Sequence, residues 1–216
     1  MSLLSFNTID FLGQLRANND RQWFEAHRAD YEHHLKHPAE AFARALADEL
    51  EAATNEAHEY RIFRIHRDVR FSKDKTPYNA HLHISLSPNG ECRNGGPVWM
   101  FGLDQDGLTL GAGTFAFDKV QLDTWRALVD VDKGQSVVRI LDQLASEGIR
   151  ISEPELKRVP SPYPPDHARA ALLRRKGLTA WIDCPEAGVA LGAAGPENCA
   201  RILLRLGNLF LLLRTI

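Results

Sequence analysis

Cysteine is scarce in this chain, and the scarcity excludes a great deal. Of 216 residues only Cys92, Cys184 and Cys199 are thiols. Three scattered cysteines make neither a disulfide framework nor the paired spacing of a zinc knuckle, so a reducing, cytoplasmic setting is expected. A basic surplus is lacking as well. Twenty-six Lys and Arg stand against 28 Asp and Glu, a formal net charge of −2. General nucleic-acid binders carry a strong basic excess, so nucleic acid is not the expected partner. Long apolar runs are also missing. The opening MSLLSFNTID has no basic segment ahead of an apolar core, so no signal peptide is expected. The closing ILLRLGNLFLLLRTI is broken by Arg205, Asn208 and Arg214 well short of the ~18 apolar residues of a membrane span. A buried helix is expected there, and no membrane partner.

What is present divides by period. Thr8 is placed to cap a first helix with Phe11, Leu12 and Leu15 on its apolar stripe. Asp20 is placed to cap a second, carrying Trp23, Phe24, His27 and Tyr31 at helical spacing. His37-Pro38 marks a third start, running to about Ala53. From Arg61 to Phe117 alternation takes over: a strand with Phe63, Ile65, Val69 and Phe71 on its apolar face and a bend expected at Arg67, which would otherwise share that face, then His81 to Leu86, then Val98–Leu103 and Leu108–Phe117 flanking an Asp104–Gly107 hairpin turn. Ser87–Gly90 and Asn94–Pro97 are turn and loop signals. An antiparallel sheet of three or four strands follows. Helices are expected over Leu122–Val129, Ser136–Ala145, a stretch capped by Asp166, and Glu197–Leu213; Ile149–Val159 should hold a short edge strand and Trp181-Ile182 another. With no repeat or low-complexity linker, residues 1–216 read as one α+β domain.

The stretch Arg61–Ala80, RIFRIHRDVRFSKDKTPYNA, concentrates charge. Arg61, Arg64, Arg67, Arg70, Lys73 and Lys75 lie within fifteen residues beside only Asp68 and Asp74, whereas residues 1–60 hold eleven acids and five bases. Guanidinium forks and mobile ammonium groups together suit carboxylate or phosphate. The competing reading is structural, with the arginines paired to Asp68 or to the N-terminal acids.

Three motifs carry a family resemblance. FLxxLxxNNxRxWF (Phe11–Phe24), RDVRFSKDKTPY (Arg67–Tyr78) and LKRVPSPYPPDH…LLRRKGL (Leu156–Leu178) resemble an uncharacterised bacterial and fungal family, domain of unknown function 2461. The resemblance covers nearly the whole chain, and departs from the pattern after Pro185. It implies a single α+β domain and a cytoplasmic protein, and no activity. Its motif residues fall here on Asn18, Asn19, Arg21, Trp23, Arg67, Asp68, Arg70, Lys73, Lys75, Tyr78 and Lys176.

Other chemistry is thin. His81 and His83 have a spacing that metal sites use, but no third ligand is evident, and no metal or cofactor is expected. Gly111-Ala112-Gly113 lacks the rest of a dinucleotide fingerprint or a P-loop lysine, and reads as a bulge or close backbone approach. There is no GxSxG elbow and no activated cysteine. The expected site is therefore an anion pocket of Arg67, Asp68, Arg70, Lys73, Lys75 and Tyr78, with Asn18, Asn19 and Arg21 beside it. Its expected role is binding a small phosphate- or carboxylate-bearing molecule. One alternative is a surface docking an acidic protein or RNA segment. Another is a hydrolase or transferase using His66 or Asp68 as acid–base.

Overall fold

Large apolar side chains alternate with small or polar ones along the central strands, and that alternation decides the architecture. In a computed structural model describing residues 3–88 and 95–216, six strands form one antiparallel sheet in the order β1-β2-β3-β4-β6-β5. They are β1 (His58–Ile62), β2 (Leu82–Pro88), β3 (Val98–Leu103), β4 (Leu108–Thr114), β5 (Arg150–Ile151) and β6 (Leu178–Cys184). Cross-strand partners share a face. The register thus places Ile84, Phe101, Leu110 and Ile182 together on one side, and His83, Gly102 and Thr109 together on the other.

The apolar side is the core. Against it lie α4 (His37–Thr54), α8 (Gly195–Leu203) and α9 (Gly207–Leu213). Phe42 of α4 meets Phe101 at 4.8 Å between ring centroids, and Phe210 of α9 stacks on Trp99 at 4.0 Å. Two further helices, α5 (Lys119–Asp130) and α6 (Gly134–Ser146), pack on each other, and α6 reaches the β5 edge. Trp125 of α5 is buried and donates its indole N–H to the Leu172 carbonyl at 2.9 Å. No helix among the described residues is long and apolar enough to cross a membrane.

The single α+β domain expected from sequence is present, with N- and C-terminal helices around a mainly antiparallel sheet. The sheet is wider than expected, because β1, β5 and β6 join the central hairpins. Several local expectations need correction. The first helix, α1 (Phe6–Ala17), begins before Thr8, whose buried hydroxyl donates to the His34 carbonyl at 2.7 Å. Asp20 does cap α2 (Arg21–Ala26), accepting from the Trp23 amide. His37-Pro38 opens α4 without a break, since α3 (Arg28–Asp30) and a π-helical turn over Tyr31–Lys36 lead into it. Asp166 caps nothing: α7 spans only Ala170–Leu173, and Arg169 ties the preceding turns to the Val129 and Asp130 carbonyls. The closing helix is split by a 3₁₀ turn over Leu204–Leu206, which lets Leu203, Leu206, Leu209, Phe210 and Leu213 all be buried. The Asp104–Gly107 turn forms as expected, the Asp104 carboxylate accepting from the amides of Asp106 and Gly107. Cys92 and parts of the two loop signals at 87–90 and 94–97 lie outside the described residues.

The largest correction concerns Arg61–Phe71. Strand β1 ends at Ile62, and the chain then leaves the sheet as a loop. Ile65 is buried, but Phe63 is 48% exposed and Phe71 is 96% exposed, so the four apolar residues share no face. Beyond β1, an isolated bridge between His66 and Tyr78 replaces a ladder. Phe71→Ala should therefore change stability by less than about 0.5 kcal/mol, as surface substitutions do. Phe101→Ala, at the centre of the core, should cost about 3–5 kcal/mol. Urea unfolding of the two variants checks the contrast.

Candidate functional site

The loop from Phe63 to His81 is ordered by its own polar groups. Its neck is a short backbone pairing: the Arg67 amide donates to the Pro77 carbonyl at 2.8 Å, and the Asn79 amide to the Ile65 carbonyl at 2.7 Å. One guanidinium nitrogen of Arg67 reaches the Asp74 carboxylate at 2.6 Å and also the Thr76 carbonyl and hydroxyl. The Thr76 amide, with help from Arg67, pushes the Asp74 carboxyl down to about 2. Arg70 forks onto Asp68 through Nε at 2.9 Å and Nη2 at 2.7 Å, which lowers the Asp68 pKa. Lys75 donates to the Val69 carbonyl. The acids that pair this cluster are thus its own two, Asp68 and Asp74.

A second anchor comes from the N-terminal helices. Asn19 receives the Tyr78 amide at 3.1 Å and donates to the Tyr78 carbonyl at 2.9 Å, copying a strand partner with one side chain. The Tyr78 ring is 4% exposed and stacks on Phe24 at 4.1 Å. Asn18 instead turns back to the Gln14 carbonyl at the end of α1. Arg21 is exposed and lies near enough to Tyr78 to act on it electrostatically. Trp23 stacks on His27 at 4.1 Å.

Of the residues expected at a pocket, the structure brings Arg67, Asp68 and His66 to a common cleft of about 630 Å³. Arg61, Arg64, His81 and His83 complete its charged and imidazole lining. Arg70, Lys73, Lys75, Tyr78, Asn18, Asn19 and Arg21 do not line it. Among the described residues, Arg61 and Arg64 form no ion pair; Arg61 instead lies over the Phe63 ring at 5.1 Å. These two arginines belong to the cluster visible in the sequence, but only the loop's path singles them out from their paired neighbours.

The cleft continues across the polar side of the sheet. Its neighbours are a cavity of about 550 Å³ toward Phe115 and Trp181, and one of about 380 Å³ toward the Asp104–Gly107 turn. His83 lines all three. The His81 and His83 rings stack at 4.1 Å, and partial burial lowers the pKa of each; His81 lowers that of His83 further. Both imidazoles are therefore neutral at pH 7. Among the described residues no group of three His, Cys, Asp or Glu is placed to hold a metal.

Glycines make the floor. His83 faces Gly102 across β2 and β3, and Trp181 faces Gly111 across β4 and β6. A Cβ on Gly111 would stand 2.5 Å from Trp181 Cε3, and one on Gly102 would stand 3.3 Å from His83 Cδ2. The Trp181 ring can lie down on the sheet only because Gly111 lacks a side chain, and Gly102 leaves the His83 ring room to do the same. The Gly111–Gly113 segment is accordingly a close backbone approach inside β4, as its sequence suggested, and no phosphate loop. His83, Trp181, Phe115 and Phe63 were absent from the sequence-based site, because the pairings that gather them link distant parts of the chain.

Among the groups in and near the cleft, His66, His81 and His83 carry imidazoles, and Asp68 carries a carboxylate. Asp68 is held ionised by the Arg70 fork. Burial raises the Cys184 thiol and pushes Cys199 up to about 12, leaving neither as a ready thiolate. Because the loop hangs on the Asn19 clamp, Asn19→Ala should cost about 1–3 kcal/mol by stranding the Tyr78 backbone groups. Asn18→Ala, which frees one exposed helix-end carbonyl, should cost less than about 1 kcal/mol. Thermal and denaturant unfolding of both variants measure the difference.

No curated protein matches the chain. Residues 7–210 match the model of the family described as a conserved hypothetical protein, DUF2461. The match spans all the elements from α1 to most of α9, together with the arginine loop, and the chain belongs to the DUF2461 family.

Proposed function

We propose that the protein binds a small anionic molecule, bearing phosphate or carboxylate, in the cleft between the arginine loop and the polar side of the sheet. The observation that carries the reading is the pair Arg61 and Arg64. They face a concave space of ligand size, while the neighbouring acids are already held by Arg67 and Arg70. Guanidinium groups without carboxylate partners in a cleft are poised for an oxyanion, to which they offer forked, charge-assisted hydrogen bonds. His66, His81 and His83 add ring nitrogens around the same space. A concave, polar cleft fits a small molecule better than the flat face a protein or RNA partner would need. The absence of disulfides at Cys184 and Cys199 fits a cytoplasmic site for this binding.

Loop lysines are not the centre of this reading. Lys73 and Lys75 lie outside the cleft lining, and Lys75 already serves the Val69 carbonyl. Pyrophosphate added at fixed ionic strength should raise the melting temperature of the native protein, and chloride should not. At 100 times its dissociation constant a ligand specific to the folded state adds about 2.7 kcal/mol. Arg61→Ala with Arg64→Ala should remove the shift; Lys73→Ala with Lys75→Ala should keep most of it. Acid should strengthen the binding. The lowered pKa values of His81 and His83 keep both rings neutral above about 6.5, and an anion favours their protonated forms. Affinity should therefore rise as pH falls below that value. A missing pyrophosphate shift, or one abolished equally by the lysine pair, overturns the reading.

A further inference from the structure

The cavity beside the arginine cleft differs from it in character, and the two are joined. Phe63 and His83 line both. Beyond them the wall becomes aromatic and apolar, with Phe115, Trp181 and Met100 around a floor of Ser85, Gly102 and Thr109. Phe115 is 66% exposed although it touches Trp181 at 6.1 Å between ring centroids, tilted by 51°. Arg150 rests 5.9 Å from the Trp181 ring and is neutralised by Asp183 at 2.9 Å. The indole itself lies flat because Gly111 beneath it has no side chain. A soluble fold has no stability reason to leave three aromatic rings around a concavity of about 550 Å³ next to unpaired arginines.

We infer that the ligand is a planar aromatic compound carrying an anionic group, of the nucleoside monophosphate class, its ring in the Phe63–Phe115–Trp181 cavity and its phosphate at Arg61 and Arg64. The inference rests on the anion reading and adds the second half of the ligand to it. Charge selects the occupant: the aromatic cavity's one cation, Arg150, is already paired, so only the far end of the ligand meets free positive charge. Flat π faces accept a base of any identity by stacking, and small residues on the sheet let it approach the backbone closely. Ser85 and Thr109 place hydroxyls at the floor, the Thr109 hydroxyl already donating to Asp183 at 3.2 Å.

Calorimetry with three probes separates this inference from the one beneath it. Adenosine monophosphate should bind the native protein about tenfold or more tightly than ribose 5-phosphate, the span that one stacked base contributes. Phe115→Ala and Trp181→Leu should each reduce that advantage toward none. Should Trp181→Leu fail to fold, Phe115→Ala decides alone, because its ring is mostly in solvent. Equal affinity for the two phosphates would overturn the aromatic half and leave the anion reading standing. An adenosine monophosphate preference untouched by both variants would likewise overturn it. If neither these compounds nor pyrophosphate binds, both readings fall together. A single-stranded octanucleotide binding more than a hundredfold tighter than the mononucleotide would assign the face to a nucleic-acid strand and overturn the small-molecule inference.

Discussion

A β-strand sends successive side chains to opposite sides, and the four central strands here divide their residues accordingly. Ile84, Phe101, Leu110 and Ile182 fall to the helices; His83, Gly102, Thr109, Gly111 and Trp181 fall away from them. Moving any of these strands by one residue would bury imidazole and hydroxyl groups and expose a row of aliphatic ones. The register therefore fixes core and cleft at once. Neither can be changed without the other.

The arginine loop depends on that sheet in turn. It leaves at the end of β1 and returns at the start of β2, so the pairing of these two strands sets the width of its neck. Within the loop, charge is spent locally: Arg67 on Asp74, Arg70 on Asp68. Such exposed pairs contribute little to global stability. Their consequence is positional, because Asp68 and Asp74 bond Arg70 and Arg67 directly, and Arg64 acts on Asp68 only through its charge. A dense basic stretch thus splits into residues that hold a shape and residues that face the space it encloses.

Much of the fold was legible in the sequence. The Asp20 cap, the Asp104–Gly107 turn, the alternation from His81 to Leu86 and the helical period after His37 all announce local structure, and local structure is what they make. Phe63–Phe71 misled because alternation of apolar residues signals a strand only when a partner strand lies beside it. Here the loop bends away from the sheet, held by Arg67 and by Asn19 from the distant α1–α2 connection. The site was legible as a cluster but not in its parts. Asn19 and Tyr78 stand out in the motif, yet one clamps the backbone of the other, while Trp181 joins the cleft only through pairing with β4. Sequence periodicity carries no information on which distant strand supplies a facing glycine.

The central claim is that the anion sits against Arg61 and Arg64, on the sheet side of the loop. Amide chemical-shift changes on titrating the native protein with pyrophosphate test it most directly. The account predicts that the perturbed amides concentrate at Arg61–Arg67 and His81–His83 and reach Gly102. Perturbation confined to Ser72–Lys75, on the loop's lysine tip, would contradict it.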